Sequence, residues 1–167
     1  MNQPLRIEVA GQTDVGRKRS HNEDNFAIFS EFGLYIVADG MGGHASGEIA
    51  SKMAVDTLQE FFSATADDPE RTWPYKMDRA KGYEENRLIT GIKLCNLRIY
   101  EAAQRNAKQR GMGTTLVALF DNGRPSDDWT IAFETTQFAA RADPWSLRNV
   151  PESSTSAFGM VYEPRPV

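Results

Sequence analysis

Apolar residues recur along the first 120 positions with two different periods, and the switches between them predict the order of elements. In residues 6–10, Ile7 and Val9 alternate with polar or small neighbours, and Gly11, Gln12, Thr13 and Asp14 end the run, so a strand is expected there. Residues 25–30 place Phe26 and Ile28 on one face. After Glu31, Phe32 and Gly33 a second run, 34–38, is apolar throughout, which predicts a hairpin whose second strand is covered on both faces. From Gly47 the period becomes helical: Ala50, Ala54, Leu58 and Phe61 form one stripe with Val55 and Phe62 beside it, Ser46 is placed to cap the start, and Glu48 suits the first turn.

Residues 64–78, with Asp67, Asp68, Pro69, Trp73 and Pro74, read as a loop. A longer helix is expected over about 83–107, because Leu88, Ile92, Cys95, Ile99 and Ala102 recur at alternating steps of four and three. Cys95 falls inside that stripe and reads as a core residue. Gly111, Met112 and Gly113 stop the helix, and 114–120 is a strand-forming run. Strands, two helices and a further strand argue for an α+β layered fold. Beyond Gly123 the texture changes: Pro125, Pro144, Pro151, Pro164 and Pro166 crowd the end, and only 129–133 reads as a strand. The sequence therefore divides into 1–123 and an atypical tail, 124–167, expected to be poorly ordered.

Length and composition narrow the function classes. The chain has 167 residues, 40% hydrophobic and 25% charged, the profile of about one globular domain. A net charge of −4, with no long block of one sign, argues against nucleic acid or an anionic membrane as partner. The N-terminus lacks the apolar core of a secretion signal, which points to a cytoplasmic protein. With Cys95 as the one cysteine, any metal would be held by oxygen or by His21 and His44.

Two polar clusters stand out: Arg17, Lys18, Arg19, Ser20, His21, Asn22, Glu23 and Asp24 before one expected strand, and Asp39, Gly40, Met41, Gly42, Gly43 and His44 after the next. Each could be an ordinary solvated turn. If the strands are neighbours, however, Glu23, Asp24 and Asp39 converge, and crowded carboxylates call for a cation, with Mg²⁺ or Mn²⁺ suited to hard oxygen ligands. Arg19 would offer a fork of donors to a phosphate beside it. A rival is dinucleotide binding, since residues 40–45 fit G-x-G-x-x-A with Glu60 some twenty residues on. The context opposes it: Glu60 lies within the helical pattern, and an acidic, proline-containing loop follows in place of a second parallel strand.

Thr13, Asp14, Val15 and Gly16 through Arg19 and Asn22-Glu23-Asp24, then residues 37–44 with Gly47-Glu48, then Gly111-Met112-Gly113-Thr114-Thr115, closely resemble the bacterial branch of the metal-dependent (type 2C, PPM) protein serine/threonine phosphatases. The resemblance runs from about Ile7 to Leu119. It implies an α-β-β-α four-layer sandwich carrying two Mn²⁺ or Mg²⁺ ions, and phosphorylated proteins as substrates. By that resemblance Asp39 is the bridging metal ligand, Gly40 a carbonyl ligand, Glu23 and Asp24 the acidic pair near the metals, Arg19 the phosphate-binding arginine and His44 a candidate general acid. A metal-bridging water would attack phosphorus in line. Thr114 and Thr115 belong to the signature and read as strand packing.

The later Gly-Asp-Ser-Arg, Asp-His-Ser, Asp-Gly and Asp-Asn segments of the family do not occur in this sequence. The expectation is thus an incomplete phosphatase fold, shortened or frameshifted after the Gly-Met-Gly-Thr-Thr strand, with weak or partial metal binding. The alternative is a catalytically inactive fragment that acts at most as a binding module.

Overall fold

A hairpin is the first regular element among the described residues. In the computed structural model, which describes residues 8–42, 46–66, 68, 72–121 and 134–139, strand β1 (Asp24–Phe29) runs antiparallel to β2 (Leu34–Met41). Their turn closes with Phe32 N–H donating to the Phe29 carbonyl at 3.0 Å and Gly33 N–H to that of Ser30 at 3.2 Å. Gly33 has φ 64°, and a Cβ there would collide with the Asp121 carbonyl oxygen. Glycine is required on both counts. The Gly33 carbonyl accepts from Asp121 N–H at 2.8 Å, which ties this turn to the far end of a third strand.

Helix α1 (Ser46–Ala66) follows, and its stripe of Ala50, Ala54, Leu58, Phe61 and Phe62 is buried as the periodicity requires. Ser46 is already helical, and its hydroxyl donates to the Lys108 carbonyl at 3.1 Å instead of serving as the expected cap. Helix α2 (Tyr83–Arg105) buries Leu88, Ile92, Cys95 and Ile99. The last member of its stripe is Ala103 and not the expected Ala102, which is only partly buried. The two helices meet closely at Gly91, where a Cβ would lie 2.7 Å from Leu58 Cδ2. The helix ends before the glycines expected to stop it. Asn106 N–H caps it on the Ala102 carbonyl, and the Asn106 side chain accepts from Lys108 N–H at the start of a 3₁₀ turn (Ala107–Gln109).

Strand β3 (Gly113–Phe120) pairs antiparallel with β2, and β4 (Glu134–Ala139) with β3, giving one sheet in the order β1-β2-β3-β4. β4 follows the stretch in which a strand was expected, 129–133, which lies outside the described residues. The early strand expected at 6–10 does not form where it is described: residues 8–10 belong to no strand, and residues 6 and 7 lie outside the described residues. Gly11 still packs on the sheet, since a Cβ there would come 2.5 Å from the Phe26 ring.

Pleating divides the sheet into two faces. Leu34, Ile36, Ala38, Leu116 and Ala118 are buried with the stripes of α1 and α2 in one cluster. The opposite face carries Phe26, Ile28, Tyr35, Val37 and Val117, and Val37 is 54% exposed. β2 is therefore covered on one face only among the described residues, where a continuous apolar run predicted cover on both. The α+β class holds, and these residues supply one helix layer and one sheet layer of the four-layer plan.

One buried cation, Arg87, has no signature in the sequence. Arg87 stacks over the Phe62 ring at 4.3 Å and donates to the Phe62 carbonyl at 2.7 Å and to Thr65 Oγ1 at 2.9 Å. Burial lowers its pKa, with Glu84 and then Tyr83 opposing that shift. Nothing in its position within the α2 pattern, between Asn86 and Leu88, distinguishes it from a solvated arginine.

Candidate metal and phosphate site

The pairing of β1 with β2 sets Asp24 directly opposite Asp39 at one end of the sheet. The neighbouring Gly40 N–H donates to the Glu23 carbonyl at 3.1 Å. In an antiparallel ladder hydrogen-bonded and non-hydrogen-bonded pairs alternate, so Asp24 and Asp39 form the closer, non-hydrogen-bonded kind with both side chains on the open face. Asp24 is pushed above the usual carboxylate range. Partial burial is the first cause, followed by the Asp39 charge and a hydrogen bond with its carboxyl, while the Arg19 guanidinium pulls the other way. Two like charges held together on an exposed edge are what a divalent cation relieves.

Glu23 does not join them. Alternation sends it to the helix side, where a Cβ on Gly47 would stand 2.7 Å from Glu23 Oε1, in the first turn of α1. A carboxylate there faces the positive end of the helix. Its carbonyl accepts from Gly40 N–H and, at 2.7 Å, from Ser51 Oγ. Glu23 thus fastens the end of β2 to the start of α1, and two carboxylates converge where the sequence suggested three. Among the described residues no group of three or more His, Cys, Asp or Glu side chains comes within reach of one ion.

Gly40 is packed too closely for any side chain, since a Cβ would strike the carbonyl oxygens of Gly47 and Glu23. Its glycine identity lets β1, β2 and α1 meet at one point. Arg19 is exposed in the polar segment before β1 and near enough to Asp24 to act on its charge. That segment is organised by short polar contacts: Asp14 Oδ1 accepts from Gly16 N–H at 2.7 Å, Asn22 Nδ2 donates to Thr13 Oγ1 at 2.9 Å, and Asn22 Oδ1 accepts from Asp24 N–H at 3.0 Å. Asn22 therefore positions the strand that carries Asp24. His44 lies outside the described residues. At the other edge of β2, Asp39 N–H donates to Thr115 Oγ1 at 3.2 Å, so Thr115 touches the site's backbone.

Comparison with known proteins identifies the family. The family model described as Protein phosphatase 2C matches residues 13–134, well over half of the sequence, and the chain belongs to this metal-dependent family. The serine/threonine phosphatase stp of Listeria welshimeri is 39% identical over 115 residues, covering 64% of this chain and 40% of the relative. Protein phosphatase PhpP of Streptococcus pneumoniae is 35% identical over 124 residues, covering 70% and 44%. Among solved structures, the serine/threonine phosphatase PstP/Ppp of Mycobacterium tuberculosis superposes with a TM-score of 0.51 at 31% identity, over 66% of this chain and 40% of that one. Stp1 of Staphylococcus aureus gives 0.50 at 36% identity, over 66% and 40%. The chain thus spans less than half the length of these relatives.

Proposed function

We propose that the chain hydrolyses phosphoserine and phosphothreonine in proteins, using Mn²⁺ or Mg²⁺ held at the end of the β1–β2 hairpin. The observation that carries this is the registered Asp24–Asp39 pair, an all-oxygen donor set on the open face, with the Asp24 pKa raised first by partial burial and then by Asp39. Asp39 and Asp24 would hold the ion, Gly40 would lend its carbonyl, and Glu23 serves the site from behind by fixing the strand to α1. Such an ion, when bound, would supply charge stabilisation and lower the pKa of an attacking water. Arg19, close enough to Asp24 to act on its charge, would orient the phosphate by charge-assisted hydrogen bonds. His44 is the proposed proton donor to the leaving hydroxyl.

The second reading, a fragment that binds without turnover, is favoured by the convergence of only two acidic side chains among the described residues. We read residues 1–123 as the phosphatase-derived unit and 124–167 as a tail of different texture that lends β4 to the sheet. No helix among the described residues is long and apolar enough to cross a membrane, and a cytoplasmic site of action belongs to the same proposal. Hydrolysis of p-nitrophenyl phosphate by the purified chain separates the readings. Manganese-dependent turnover lost in Asp39→Asn supports the enzyme, whereas Mn²⁺ binding with no turnover supports the binding module.

A further inference from the structure

We propose that Thr115 is a positioning residue for Asp39, its hydroxyl standing in for a backbone acceptor and setting the angle of the acidic pair. This rests on the metal reading above. Because Gly40 N–H points to β1, strand alternation turns the Asp39 N–H toward β3, where its regular acceptor would be the Thr115 carbonyl directly across. The paired register runs from Leu34↔Phe120 to Val37↔Val117 and resumes at Gly40↔Thr114 without gain or loss of a residue. In the gap, the Asp39 N–H donates to Thr115 Oγ1 at 3.2 Å, and the Thr115 carbonyl accepts from Thr114 Oγ1 at 2.8 Å. The two backbone groups that would have met are each taken by a threonine hydroxyl.

The consequence is local. A hydroxyl inserted into the ladder accompanies the gap in β2–β3 pairing at Ala38 and Asp39, while Gly40 N–H on the Glu23 carbonyl fixes the next residue from the other side. Asp39 is thereby held at two points, and its carboxylate stays opposite Asp24. Thr114 and Thr115, which read as strand packing in the sequence, serve the site through hydrogen bonds that valine could not make.

The test compares Thr115→Val and Thr115→Ser with the unaltered full chain, by Mn²⁺ titration and by the Asp39 amide proton resonance in the metal-free protein. Valine suits a strand and lets the ladder close, so Thr115→Val should keep or raise the melting temperature. Its Mn²⁺ affinity should fall about tenfold, as expected for loss of a group that orients a ligand, and the Asp39 amide should shift. Thr115→Ser should restore both. An unmoved amide, Mn²⁺ binding by Thr115→Val equal to the unaltered chain, or failure of serine to rescue would overturn the threonine hold. An unaltered chain that binds no Mn²⁺ overturns the metal reading and this role with it, an outcome distinct from the other three.

Discussion

On the helix side of the sheet, Leu34, Ile36, Ala38, Leu116 and Ala118 are between 0 and 2% exposed, whereas on the other side Val37 is 54% and Ile28 36% exposed. The residues differ little in hydrophobicity. What differs is the cover among the described residues: α1 packs on one face, and the other is touched by the segment around Gly11, at Phe26. The covered face carries the stability, since a fully buried leucine contributes roughly 1.5 to 3 kcal/mol. The open face ends in the Asp24–Asp39 pair, so the proposed metal site sits where packing among the described residues is least complete.

The largest expected effect belongs to the covered face. Leu116→Ala should cost roughly 2 to 5 kcal/mol in chemical denaturation, by lost transfer energy and an unfilled cavity. Gly33→Ala, which sets a Cβ against the Asp121 carbonyl at a positive φ, should cost more than about 1 kcal/mol by the same measurement. Val37→Thr on the open face should change stability by no more than about 0.5 kcal/mol. A cost approaching that of Leu116→Ala would show that the open face is covered in solution and would break the comparison.

The smallest effect concerns the acidic pair. An acid whose pKa is raised on folding binds its proton more tightly in the folded chain, so the stability it contributes is complete below the unfolded pKa and is lost as pH rises through the folded one. In metal-free protein, Asp24→Asn should therefore melt higher than the unaltered chain at neutral pH, and the gain should vanish at acid pH. Thermal melts in a chelator check it. A gain that persists or grows in acid would contradict the assignment of the shift to Asp24.

The sequence exposed whatever depends on period. The helix stripes at Ala50, Leu58, Leu88 and Ile99 and the hairpin at residues 25–38 are visible in spacing alone, because burial on one face imposes the repeat. The site was half visible. Asp24 and Asp39 were legible as a pair once their strands were taken as neighbours, but Glu23 was grouped with them since adjacency in sequence hides that alternation turns it to the opposite face. Thr115 reads as strand packing in the sequence, because the destination of the Asp39 N–H leaves no trace in a side-chain pattern. The burial of Arg87 is invisible in the sequence because a buried arginine and a solvated one occupy a helical pattern alike. β4 lay beyond the reach of spacing arguments, in a stretch whose composition argued against regular structure.

The most direct test of the account is a Mn²⁺ titration of the purified full chain, read by calorimetry, beside Asp24→Asn and Asp39→Asn. The account predicts binding by the unaltered chain, loss in Asp39→Asn, and weakening in Asp24→Asn. Affinity unchanged in both variants would place any bound ion elsewhere and contradict the assignment of this sheet edge as the metal site.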